Sequence, residues 1–253
     1  MGAMERSSGG TTDLRSGVTG RDELAELYAV TARRWVRAGF VSTLDGRVGG
    51  PDGLSGSIGS PADKVVFDTV RALADVVVVA SGTLRVEGYT RLATAPGWLD
   101  HRERAGRPPH PPLVAVTASG DLPERLLQER PGTGDLVVAV ARRTDPRRVA
   151  GLRDRLGDEA VLVCGTDEVE PEVLLEQLAE RGWRHVLLEG GPSLLAQWVD
   201  AEVVDELCLT LRPLLVGGGG PSLLTGAPER VRQARLLSVL SLDDDLMMRY
   251  RLR

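Results

Sequence analysis

The sequence predicts an α/β protein: a mostly parallel central sheet with helices on both faces and antiparallel strands at its C-terminal edge. Three observations carry this. Through the body of the chain, short apolar runs alternate with segments of helical spacing, the pattern of successive βα units. Several runs, VVVVA at 76–80 above all, are apolar throughout, as in strands buried on both faces. The C-terminal part instead holds three strand-like stretches, 203–216, 234–242 and 246–253, with little helical pattern between them. Such a run suits an antiparallel edge.

Taken in order, WVRAGFVS (35–42) reads as the first strand. A glycine-rich loop follows over 45–59, where Asp45 suits an Asx-turn. Ser60-Pro61 then opens a helix over 62–74, with Ser60 as N-cap and Val65, Val66, Val70 and Leu73 at helical spacing. After the strand 76–80, a short helix starts beyond Ser81-Gly82-Thr83. Residues 96–112 are polar and proline-rich and read as a surface excursion, with a substrate lid as the alternative. Strands follow at 113–117, 136–140, 160–164 and 185–189, with helices near 146–156 and 171–181. Gly217–Gly220 make a turn rather than a phosphate loop, since no helix signal follows. The domain is expected to span 21–253. Met1–Met4 resemble an expression scar, and residues 1–20 as a whole are expected to form a disordered tail.

Composition narrows the function. The 253 residues carry a net charge of −5, with arginines interspersed among acids and 4% aromatics. Neither the basic stripe of a nucleic-acid binder nor its stacking platform is present. No apolar run is long enough to span a membrane, and no secretory signal is visible. A cytoplasmic protein is therefore expected. Cys164 and Cys208 lie in apolar runs and read as core residues of a reduced compartment. His101, His110 and His185 have no metal-ligand spacing, so no metal is expected.

The most informative stretch is VLLEGGPSLLAQWV (186–199). A buried strand ends at Glu189, turns through Gly190-Gly191 and starts a helix at Pro192. Such a turn exposes backbone N–H groups and the positive end of a helix dipole, which suits a phosphate. An ordinary βα turn would use the same glycines for geometry alone. Glu189 lies at the strand's C-terminal end, where open α/β sheets bind ligands. It is a candidate acid or orienting carboxylate, favoured as an acid if partly buried. Alternatively it merely complements the helix dipole.

STLDGRV (42–48), SGSIGSPAD (55–63), VRALAD (70–75), VVVVASGTLRVEGY (76–89), PLVAVTASGDLP (112–123), LLEGGPSLL (187–195) and VDELCLTLRPLLVGGG (204–219) occur in that order. Together they resemble the reductase domain of bacterial riboflavin biosynthesis, which has the dihydrofolate-reductase-like fold. The resemblance runs from about 35 to 252. It implies an NADPH-dependent reduction of 5-amino-6-(5-phosphoribosylamino)uracil, in which the ribose opens to a ribityl chain. It also implies roles for single residues. Val41, Ser42 and Thr43 would lie along the nicotinamide, and Thr83, Glu87 and Ser119 would contact the cofactor. Gly190, Gly191, Pro192, Ser193 and Leu194, on to Gln197, would form the pyrophosphate turn. Ser55, Arg71 and Glu189 would face the substrate, Arg71 gripping its phosphate. A surface role for Arg71 is the alternative. Arg142 and Arg143 could meet a 2′-phosphate or be solvated surface.

The sequence departs from that family in three places. No zinc deaminase pattern is present, so the reductase would stand alone. The segment Glu87-Gly88-Tyr89-Thr90-Arg91-Leu92 lacks the family's Asp-Asp-Pro and Leu-Thr-Val-Arg, leaving only Arg91 to replace its phosphate-holding arginine. Ser57 stands where the family has an aromatic. Two rivals follow: a dihydrofolate or pterin reductase, and a non-catalytic NADPH-binding protein. The apolar terminal strands and the resemblance together imply a homodimer paired across a two-fold axis.

Overall fold

The computed structural model describes residues 13–16 and 20–253. Ten strands form one sheet, β1 (Asp13–Ser16), β2 (Trp35–Thr43), β3 (Val76–Ala80), β4 (Leu113–Val116), β5 (Leu136–Val140), β6 (Val161–Val163), β7 (His185–Leu188), β8 (Glu206–Arg212), β9 (Arg235–Leu242) and β10 (Asp245–Arg251). Their order is β1-β9-β10-β8-β2-β7-β3-β4-β5-β6. From β8 to β6 every pairing is parallel. β10 runs antiparallel to both β8 and β9, which is the mixed sheet the sequence predicts.

Eight α-helices connect and cover it: α1 (Arg21–Leu27), α2 (Pro61–Leu73), α3 (Ser81–Val86), α4 (Leu99–Arg104), α5 (Glu124–Leu127), α6 (Pro146–Leu156), α7 (Pro171–Glu180) and α8 (Pro192–Asp200). The pleat sends alternate residues to opposite faces. In β3, Val77 and Val79 join α1, α2 and α6 residues in one core. Val76 and Val78 join Leu174, Leu195 and Trp198 of α7 and α8 in the other. The unbroken valine run therefore reflects burial on both faces.

Three expectations need correcting. Asp13–Ser16, inside the tail expected to be disordered, pair in parallel with β9 and satisfy its outer backbone edge. The rest of the tail, including the expression scar, lies outside the described residues apart from Gly20. Second, 96–112 is a largely exposed surface segment as expected, but an ordered one. It folds into a short 3₁₀ turn and α4, with Trp98 and Arg102 buried. Arg102 donates to the carbonyls of Ala72 (3.0 Å) and Ala74 (2.7 Å), closing the C-terminal end of α2. Third, Asp45 does not close a turn on its own loop. Its carboxylate accepts from the Thr43 hydroxyl (2.5 Å) and the Gly217 N–H (2.6 Å), tying the glycine-rich loop to the segment after β8.

Buried charge anchors α1. Glu206, fully buried, accepts from Arg37 (2.9 Å), Arg249 (2.6 Å) and the Trp35 indole (2.7 Å). Both arginines also cap the end of α1 at the Leu27 and Tyr28 carbonyls. Burial works against the Glu206 carboxylate, but the two guanidiniums outweigh it and hold its pKa at about 2.

A candidate nucleotide-dependent active site

A cavity of about 450 Å³ opens at the C-terminal ends of β2, β7 and β3, beneath α2. This is the crevice where open α/β sheets take ligands. Its floor is Gly39, Phe40 and Val41 of β2. One end is bounded by the turns after β7 and β3, the other by β8 and β10, with α2 packed across β10, β2 and β7.

The diglycine turn is built as the sequence suggests. Gly190 has φ +105°, and the Gly190–Gly191 peptide bond is cis. A Cβ on Gly190 would sit 3.2 Å from the Phe40 ring, and one on Gly191 would sit 2.6 Å from Thr83 Oγ1. Both positions therefore need glycine. The turn is tied to β3 by the Ala80 N–H donating to the Gly190 carbonyl at 2.7 Å. Helix α8 has no side-chain cap. Its Ser193 and Leu194 line the cavity with Pro192, so first-turn N–H groups face it. Helix α3 on the adjacent strand is also uncapped, and Gly82 and Thr83 line the same end. Two helix starts aimed at one cavity suit a diphosphate. Gln197 does not contribute: its side-chain amide donates to the Val169 carbonyl at 3.0 Å.

Glu189 lines the cavity with its carboxylate buried. Arg71 grips it with both arms, Nε to Oε1 at 2.5 Å and a terminal nitrogen to Oε2 at 2.6 Å. The Tyr89 hydroxyl donates to Oε2 at 3.0 Å. Three donors thus converge on its two oxygens. Arg71 also lies 4.1 Å over the Phe67 ring. Burial opposes its charge, yet Glu189 keeps its pKa above the ordinary value. Burial, then the Glu189 charge, raise the Tyr89 phenol well above 10, so Tyr89 stays a proton-bearing donor. Arg71 is thus not a surface residue: two of its three guanidinium nitrogens are held by Glu189.

Other expected residues divide. Val41, Ser55, Thr83 and Glu87 line the cavity. The Glu87 carboxylate, however, accepts the Ser55 N–H at 2.7 Å, pinning the glycine-rich loop over the site. Ser42 and Thr43 are buried behind the wall, and Thr43 serves the Asp45 tether. Ser119 sits in the turn after β4, beside the cavity rather than on it, and accepts from the Asp121 N–H at 3.2 Å. Arg91 is buried and donates to the Leu126 carbonyl at 3.2 Å, so it does not reach the cavity. Ser57 is exposed and bonds Asp52 within its loop. Arg142 and Arg143 are exposed after β5, two strands beyond β3 on the same edge. Asp63, Phe67, Tyr89 and Thr210 also line the cavity and were not anticipated. Among the described residues no group of three His, Cys, Asp or Glu side chains could hold a metal, and no helix is long and apolar enough to cross a membrane.

The model of the RibD C-terminal domain family matches residues 34–248. The 2,5-diamino-6-ribosylamino-4(3H)-pyrimidinone 5′-phosphate reductase of Methanothermobacter thermautotrophicus is 30% identical over 225 residues, covering 86% of this chain and 98% of that one. A pyrimidine reductase-like protein from Corynebacterium diphtheriae superposes with a TM-score of 0.75 at 21% identity, over 91% of this chain and 98% of that one. A Thermotoga maritima protein described as a diaminohydroxyphosphoribosylaminopyrimidine deaminase/5-amino-6-(5-phosphoribosylamino)uracil reductase gives a TM-score of 0.64 at 20% identity. It aligns over 91% of this chain and 60% of its own.

Proposed function

From the membership of this chain in the RibD C-terminal domain family, we propose that it is a pyrimidine reductase of riboflavin biosynthesis. It reduces the ribose of a ribosylamino-pyrimidine 5′-phosphate to a ribityl chain, using NADPH. The observation that carries this is one cavity joining the two uncapped helix starts at Gly82-Thr83 and Pro192–Leu194 to the buried Arg71–Glu189–Tyr89 group.

The residues fit a dinucleotide. The open backbone at Gly82, where a Cβ would meet nothing within 4 Å, and the α8 start would hold its phosphates. When bound, the reduced nicotinamide supplies the hydride. The chain supplies position and dryness. Phe40 and Val41 form an apolar floor that keeps water from the reacting carbon. Glu189, with both oxygens fixed by Arg71 and Tyr89, keeps one lone-pair site on Oε1 free to accept a sugar hydroxyl and orient the ribose. Arg142 and Arg143, farther along the same sheet edge, support NADPH over NADH, since a 2′-phosphate there would meet two exposed guanidiniums.

We also take the protein to act in the cytoplasm as a homodimer. Exposed Leu44 and Leu215, brought together by the Leu44 N–H to Leu214 carbonyl bond (2.9 Å), support a covered face. Sedimentation at one chain's mass would remove the dimer.

The decisive experiment follows NADPH oxidation with the two ribosylamino-pyrimidine phosphates, the diaminopyrimidinone and the aminouracil, beside dihydrofolate. Turnover of a pyrimidine phosphate and not of dihydrofolate is expected. Turnover of dihydrofolate alone would replace this function with a pterin reductase, and NADPH binding without any turnover would leave a sensor.

A further inference from the structure

The end of the cavity farthest from the diglycine turn carries a carboxyl group that the reductase chemistry leaves unused. Asp63, in the first turn of α2, lines the cavity. Its backbone is fixed at the helix start. Its own N–H donates to Ser60 Oγ at 2.9 Å, and the Ser60 hydroxyl donates to Asp245 at the start of β10 at 2.5 Å. Thr210 of β8 lines the same cavity. The neighbouring cation, Arg212, is committed to Asp245. Burial, with Asp245 as a nearby like charge, raises the Asp63 pKa, while Thr210 and Arg212 oppose the rise. A half-buried carboxyl facing a cavity, with no cation of its own, is a site for ligand N–H donors.

The surroundings say which part of the ligand belongs there. Phosphates are repelled by the carboxyl and drawn to the helix starts beyond β7 and β3. Two strand spacings separate β8 from β7, about 9.5 Å. Around Asp63 the wall is Phe67, one turn along α2, with Met247 and Met248 of β10. Aromatic and thioether surfaces suit the flat face of a heterocycle.

Ribosylamino-pyrimidines differ at one edge of that ring. A 2-aminopyrimidin-4-one offers two adjacent donors, the 2-amino group and the ring N–H. A pyrimidine-2,4-dione offers the N–H beside a carbonyl acceptor. A carboxylate accepts both donors of the first edge. Against the second, one of its oxygens meets another acceptor. Resting on the reductase function above, we propose that Asp63 is the specificity-determining residue that selects the 2-amino ring. The chain then acts on the diaminopyrimidinone phosphate, not on the aminouracil. Its product still carries the amino group.

The test compares kcat/KM for the two phosphates in the full chain, with NADPH saturating. The wild-type protein is expected to favour the 2-amino compound at least about a hundredfold, as sites built on buried hydrogen bonds do. Asp63→Asn presents one donor and one acceptor, which matches the dione, so the preference should collapse or reverse. Asp63→Ala should lose the preference without gaining activity on the dione. Melting temperature and NADPH affinity report that each variant is folded. Should neither fold, calorimetric binding of the two phosphates to the wild-type protein decides the matter, and equal affinities overturn the proposal. A wild-type preference for the aminouracil, or an unchanged ratio in Asp63→Asn, overturns it while leaving the reductase function standing. No turnover of either phosphate refutes the function itself, and the proposal falls with it.

Discussion

Replacing Arg71 by Met removes the partner of a carboxylate whose side chain is only 1% exposed. Met keeps the apolar stem of Arg71 against Phe67 while deleting the fork. Two charge-assisted hydrogen bonds, at 2.5 and 2.6 Å, are lost. At about 1.5–3 kcal/mol each they sum to roughly 3–6 kcal/mol. Breaking one side of a buried ion pair typically costs about 3–5 kcal/mol, so the two routes agree. For a chain of this length that is a fall in Tm of about 6–20 °C. Because the cost is mostly the stranded Glu189, Arg71→Met and Glu189→Gln should not add. The double variant should be more stable than the sum predicts by about 2 kcal/mol or more. Urea denaturation of the four proteins measures this. Strict additivity would refute the pairing. A double variant that recovers stability but not turnover would separate the structural role of the pair from its place in the site.

Gly191→Ala puts a methyl 2.6 Å from Thr83 Oγ1 and should lower NADPH affinity at least tenfold; adding Thr83→Ala removes the clashing oxygen and should restore part of it. No loss of affinity in a folded Gly191→Ala would count against the turn as the phosphate site. Glu206 is held at about 2 against an ordinary 4.5. A depressed carboxylate stabilises the fold above its unfolded pKa and loses that as pH falls through the folded one. About 3 kcal/mol should therefore disappear between pH 4.5 and 2, and in Glu206→Gln that slope should flatten in acid denaturation curves. Arg142→Gln with Arg143→Gln should reduce the preference for NADPH over NADH without changing kcat; equal preference in variant and wild type would relegate both to solvated surface.

The sheet was legible because its strands are buried on both faces and so spell themselves as apolar runs. Ser60 was legible as a cap because capping chemistry is local. What stayed hidden is held by contacts distant in sequence. α1 and α4 are short and polar. They stand because Arg37 and Arg249 close the end of one, and because Arg102 of the other buries itself against the end of α2. A buried arginine leaves no pattern in a window. At the site, the diglycine turn was readable since its glycines answer a local need. Arg71 was read as free because its partner lies 118 residues away. Asp63 carried a signal, since residues 63, 67 and 71 share one helical face, but an acid in a first turn also has an ordinary explanation.

Helix α2 acts as a fixed gauge between the two ends of the cavity. Asp63 and Arg71 are eight residues apart, which sets them about 12 Å apart along a rigid axis. That axis is locked at its start by Ser60 against β10 and at its end by Arg102 from α4. On the proposed function the molecule would measure its ligand, ring at one stop and sugar at the other. Inserting one alanine midway would rotate one stop about 100° away from the cavity. Inserting a full heptad would restore the facing but lengthen the gauge by roughly 10 Å. A protein so altered should keep its sheet and its dinucleotide turn, yet fit no ligand of the original span.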